Sequence, residues 1–103
     1  MSDVFGAVSD PTRRAILERL RNNGELSVTE LSAAFSMTRQ AVTKHLDILE
    51  NAGLIAREVR GRQRLHRLVA QPLEAIDAWL APYAAAWDER LARLRQHLED
   101  DDE

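Results

Sequence analysis

The segment from Thr38 to Leu54, TRQAVTKHLDILENAGL, constrains the fold of this chain more than any other. Thr38 is the kind of residue that caps a helix, its hydroxyl accepting a backbone N–H of the first turn. Val42, Leu46 and Leu49 follow at spacings of four and three, one apolar stripe of a helix. Asn51-Ala52-Gly53 supplies the stop. The other face of the first two turns carries Arg39, Gln40, Thr43 and Lys44, with no large apolar residue among them. Small side chains allow close approach and long polar ones reach base edges, so this face suits the major groove of DNA. Gln40 suits bidentate contact with adenine, and Arg39 or Lys44 contact with guanine or phosphate. His45 lies on the flank, packing or touching phosphate. Asp47, one turn on, would repel phosphate unless Lys44 neutralises it, and marks where the helix leaves the groove.

The flanking segments have their own start and stop signals. Val4, Phe5 and Val8 form a short apolar entry helix. Asp10-Pro11 opens a second helix, with proline where its missing N–H costs nothing. That helix buries Ile16, Leu17 and Leu20 and ends at Gly24. Ser27-Val28-Thr29-Glu30 is a capping box for a third helix, which buries Val28, Leu31 and Phe35. A turn at Ser36-Met37 leads to Thr38. Downstream, Leu54–Val59 and Arg64–Val69 alternate as strands around Arg60-Gly61-Arg62-Gln63. So short a hairpin is not stable alone and packs on the helices. Its tip carries Arg60, Arg62 and Arg64 toward phosphate or the minor groove. Alternation places Arg62 and Arg64 on one strand face, so only one set of these arginines reaches DNA. The fold class expected is mainly α with a small β-hairpin, a winged helix-turn-helix.

Net charge is −3, but its distribution matters more than its sum. Arg39 to Arg67 holds seven cations against three anions, whereas Asp88 to Glu103 holds seven anions against three cations. Screening over about 8 Å makes phosphate attraction local, so the acidic end lies away from the binding face. The terminal EDDDE reads as solvated surface. With no cysteine there are no disulfides or thiolate metal sites. MSDVFGAVSD lacks the basic-then-apolar order of a signal peptide, no stretch reaches a membrane span, and the expected location is the cytoplasm.

The last third repeats differently. Ile76, Leu80, Tyr83, Trp87, Leu91, Leu94 and Leu98 recur at spacings of four, three, four, four, three and four. This near-heptad seam exceeds what a chain of 103 residues needs for its own core. With Val4, Phe5 and Val8 it is assigned to a homodimer interface. Pro82 removes one backbone hydrogen bond and predicts a kink or break near Leu80. Trp79, Tyr83 and Trp87 read as core before they read as a ligand pocket. The chain is one domain over 1–103: a DNA-binding core over 1–70 with the wing at 54–69, a dimerisation helix over 72–99, and an acidic tail over 100–103.

Taken in order, SDPTRRAILERL, GELSVTEL, TRQAVTKHLDILENAGL and RGRQRLHRL resemble the ArsR family of bacterial transcriptional regulators over nearly the whole chain. The resemblance implies a dimeric winged helix, joined through its first and last helices, that represses a promoter and releases DNA when an effector binds. The family's arsenic sensors carry cysteines in an ELCVCDL-type stretch. Here Glu25-Leu26-Ser27-Val28-Thr29-Glu30-Leu31 has hydroxyls in both places, which are poor ligands for a soft metal. The family's zinc register on the last helix, started at Asp77, falls on Trp79, Arg90 and Arg93, none of them ligands there. The chain is similar instead to a cysteine-free branch whose effectors are mostly undefined.

The function expected is a sequence-specific repressor, autoregulating or local, that binds a partial palindrome of double-stranded DNA as a homodimer. No metal, cofactor or membrane partner is expected, and no catalytic constellation is present. A small-molecule effector stays open, with a pocket beside Pro82 as its place. Two alternatives are carried. One is a winged-helix protein-interaction module, which Asp47 and the overall acidity favour. The other is a metal-responsive repressor with an atypical site, for which His97 with Asp100 or Asp101 has a usable spacing. His66, in the wing strand, is assigned to the surface.

Overall fold

A computed structural model describes residues 3–101, with side chains described for residues 3–99. The acidic tail at 100–103, and any pairing of His97 with Asp100 or Asp101, fall outside the described side chains.

Local capping chemistry sets the helix starts. Helix α1, Val4–Ala7, is capped by Asp3, whose Oδ1 accepts from Gly6 N–H at 2.8 Å. Helix α2, Pro11–Asn23, is capped by Asp10, whose Oδ2 accepts from Arg13 N–H at 2.9 Å, and is closed by Gly24 at φ 80°. Arginines at the start of α2 reach back to α1. Arg13 Nε donates to Ala7 O at 2.7 Å and Arg14 Nη1 to Val8 O at 2.7 Å, satisfying carbonyls that the short helix leaves open.

The capping box forms in full at α3, Val28–Phe35: Glu30 N–H donates to Ser27 Oγ at 3.1 Å and Ser27 N–H to Glu30 Oε1 at 3.0 Å. Ser36 turns the chain in the left-handed region, at φ 52°. Thr38 Oγ1 then accepts from Ala41 N–H at 3.1 Å and opens α4, Arg39–Asn51.

The wing comprises β2, Ile55–Arg60, and β3, Gln63–Leu68, each shifted by about one residue from the expected strands. Arg60 pairs with Gln63, so Gly61 and Arg62 alone make the turn, and Gly61 adopts φ 61° as such a turn requires. A third strand joins them. Leu26–Ser27, β1, pairs antiparallel with β3, giving the order β1-β3-β2. Two residues are too few to show a strand period, so only tertiary pairing reveals it.

Ile16, Leu20, Leu31, Val42, Leu46, Leu49 and Leu54 are fully buried side chains of one core between α2, α3, α4 and the root of the wing. Val28 and Phe35, expected inside, are only partly buried at its margin. Val4 lies within this core, 8% exposed, because α1 folds down onto α4; Val8 packs at its edge. His66 corrects the surface assignment: it is 3% exposed, at the centre of the middle strand between Leu26 and Arg57.

A 3-10 turn at Gln71–Leu73 leads into α5, Glu74–Asp101. The helix runs unbroken through Pro82, so of the kink or break expected near Leu80 the break does not occur. The carbonyl that loses its donor is that of Ala78, an exposed residue, where water can replace the bond. Twenty-eight residues span about 42 Å at 1.5 Å per residue, and the molecule reaches 66 Å along its longest axis. Most of α5 therefore has no surface of its own subunit to cover it. Ile76 packs on the core and Leu80 is half-buried, whereas Tyr83, Trp87, Leu91, Leu94 and Leu98 are at least half exposed. Trp79, Tyr83 and Trp87 are thus not core in the single subunit, against expectation. Trp79 meets Phe5 edge to face, ring centres 6.0 Å apart, and Tyr83 at 5.3 Å.

Candidate nucleic-acid interface

Helix α4 presents Arg39, Gln40, Thr43 and Lys44 to solvent at its N-terminal end, while Val42, Leu46 and Leu49 anchor it from behind. The first turn contains no acidic residue, so the positive end of the helix carries no acid of its own. Gln40 and Lys44 are exposed and have no hydrogen-bond partner among the described residues. Thr43 differs: its Oγ1 donates to Arg39 O at 2.8 Å, which leaves it as an acceptor or a methyl contact rather than a donor. Thr38 is exposed, but its oxygen is spent on the cap. His45 is half-buried on the flank, and its Nδ1 is buried without a partner. Asp47 is exposed one turn beyond Lys44.

The three wing arginines are not equivalent. Arg60 is held in a forked pair with Glu25, Nη1 to Oε2 at 3.0 Å and Nη2 to Oε1 at 3.2 Å, and also meets Glu58 at 3.1 Å. Its charge is neutralised inside the protein. Arg62 and Arg64 have no ion pair among the described residues, and both face Arg39 and Thr43 across a cleft. This division withdraws Arg60 and leaves Arg62 and Arg64 without an ion pair among the described residues. Sequence separation hid the cause, since Glu25 lies 35 residues from Arg60.

Other potential sites are sparse. Among the described residues no three of His, Cys, Asp and Glu come together in a way that could hold a metal. An apolar cavity of about 270 Å³ opens among Val8, Leu17, Leu68, Leu73 and Ile76, at the root of α5 rather than beside Pro82. No helix of the described residues is long and apolar enough to cross a membrane.

A helix anchored by its apolar face, preceded by a capped α3 and flanked by an arginine-tipped hairpin, defines a winged helix-turn-helix DNA-binding domain. Comparison with known proteins agrees. A helix-turn-helix domain family matches residues 8–58. The HTH-type transcriptional regulator YuzN of Bacillus subtilis is 37% identical over 84 residues, covering 75% of this chain and 91% of that protein. The transcriptional repressor SdpR of the same organism is 30% identical over 91 residues, 88% of this chain and all of that one. The solved structure of an ArsR-like transcriptional regulator from Rhodococcus superposes with a TM-score of 0.71 at 36% identity, covering 94% of this chain and 88% of that one. The chain belongs to the ArsR family and is a DNA-binding transcriptional regulator.

Proposed function

We propose that the protein is a homodimeric repressor, acting in the cytoplasm, that reads a partial palindrome in double-stranded DNA. Two copies of α4 enter successive major grooves about one helical turn, roughly 34 Å, apart, with each wing on the flanking backbone. The observation that carries this reading is the free, exposed pair Gln40 and Lys44 on a helix end that holds no acid. Exposure of the α5 stripe, with Phe5 against Trp79, supports pairing through the first and last helices. An apolar surface of this length is rare on a lone subunit. The name of SdpR as a repressor supports repression over activation. The effector, if the protein has one, is not thiolate-bound metal, since no cysteine is present to bind it.

Selection of bound fragments from the source genome, followed by footprinting, tests the reading. A protected pseudo-palindrome is expected, and Gln40→Ala with Lys44→Ala should abolish specific binding while the helical circular dichroism is retained. Unchanged operator affinity in that variant would overturn the assignment of α4 as the reading helix.

A further inference from the structure

The apolar pocket at the root of α5 has no part in the reading of DNA. It lies where the 3-10 turn carries the chain from β3 to α5, and it measures about 270 Å³. Val8, Leu17, Leu68, Leu73 and Ile76 line it, one from each of five successive segments. Leu17 is buried and the other four are partly buried against the core. All five are aliphatic, so this floor offers dispersion contact and no side-chain hydrogen bond.

The exposed side differs. Arg14, Glu18 and Arg21, four and three residues apart on α2, form one stripe along the pocket. Glu18 pairs with neither arginine, and none of the three has an ion pair among the described residues. The stripe therefore carries a net positive charge beside an aliphatic floor. Arg14 is held in place, with Nη1 donating to Val8 O at 2.7 Å and the rest of its donor fork left for another acceptor. Arg21 Nε only approaches Asn22 Oδ1, at 3.4 Å, which is long for a hydrogen bond.

An aliphatic floor beside unpaired guanidinium groups complements a molecule with an apolar body and one carboxylate. A cavity of about 150 Å³ holds benzene, so this pocket holds a body of roughly eight to twelve carbon atoms. We propose that it is a binding site for an amphipathic monocarboxylate, and that this occupant is the regulator's effector. The site stands on the pocket itself, whereas the effector role rests on the DNA reading above. An occupant would touch the base of the wing at Leu68 and the start of α5 at Ile76, and so both the DNA-facing part of the subunit and the helix of the proposed dimer. It acts on operator binding by differing in affinity for the free and DNA-bound forms, a coupling typically of about five- to 150-fold.

The test titrates decanoate into the DNA-free protein at neutral pH and follows the methyl signals of Val8, Leu68 and Leu73 by NMR. Saturable shifts are expected, with decanol, equally long but uncharged, binding about fivefold more weakly. Arg14→Gln/Arg21→Gln should remove that preference, and Ile76→Trp, which fills the pocket, should remove the shifts. No saturable shift in wild type, equal binding of acid and alcohol, or shifts retained in Ile76→Trp overturns the site. Shifts seen only in a monomeric Leu91→Asp variant would mean that the partner subunit covers the pocket, and would overturn it too. A second arm measures operator affinity by anisotropy at saturating decanoate, where a change of at least about fivefold is expected. Binding without that change overturns the effector role. The first arm needs no DNA, so failure of the site is distinguishable from failure of the repressor reading.

Discussion

Arg60 and Glu25 form a two-pronged ion pair, 3.0 and 3.2 Å, that joins the outer end of the wing to the residue before β1. Both groups are partly exposed, so the pair contributes only about 0.2–1 kcal/mol to stability. Its larger effect is on charge. Releasing Arg60 takes both of its partners, so Glu25→Gln with Glu58→Gln should add a cation to the wing, tightening non-specific duplex binding about two- to fivefold and steepening its salt dependence. Fluorescence anisotropy across a salt series measures this, and an unchanged salt slope would contradict the neutralisation of Arg60.

The α5 stripe gives a second prediction. Leu91 is 51% exposed and touches no core, so Leu91→Asp should leave the subunit folded. At the proposed interface the new carboxylate would be desolvated, and dimer dissociation should strengthen by at least about tenfold, some 1.4 kcal/mol. Sedimentation velocity should find monomers with weakened operator binding. A variant as dimeric as wild type would remove Leu91 from the interface.

His66 makes stability depend on pH. Burial lowers its pKa below the usual 6.5, against opposing contributions from the Leu26 backbone and Glu50. Because the folded value lies below the unfolded one, the unfolded chain binds the proton first as pH falls. Stability from this group is complete above about 6.5 and declines below it until the folded histidine itself titrates. Melting temperature should hold from pH 8 to 7 and drop toward pH 5, with His66→Leu flattening that part of the profile. An identical acid limb in the variant would point to another group. Asp10, whose carboxylate is held below its usual value chiefly by the Arg13 N–H, adds a loss at lower pH with the same sign.

Pro82 sits in an exposed part of α5 without breaking it. Pro82→Ala restores a donor for the Ala78 carbonyl and should stabilise the helix by about 1–3 kcal/mol, less the entropy returned to the unfolded chain. Thermal unfolding should show a higher midpoint, and a lower one would mean the ring makes contacts in the dimer.

Much of the fold was legible because its signals are short-range. Asp10, Ser27 with Glu30, and Thr38 each bond a backbone group three residues away, and all form as expected. The stripe of Val42, Leu46 and Leu49 likewise follows from helix periodicity, and the identities on the opposite face named Gln40 and Lys44. Less legible were Val4, drawn into the core, and the aromatic residues of α5, left outside it. An apolar period marks a face that needs covering but does not say which surface covers it.

The sequence by itself determined where α2, α3 and α4 begin and which faces of α4 are apolar and polar, because those follow from interactions within one or two turns. Only the tertiary structure decided that Leu26–Ser27 becomes a strand, that His66 is buried, and that Arg60 is spent on Glu25 while Arg62 and Arg64 have no ion pair among the described residues. These depend on which distant residues are brought together: β1 must reach β3, and Glu25 must reach across 35 residues to Arg60. Charge availability at the wing is therefore a property of the packed molecule.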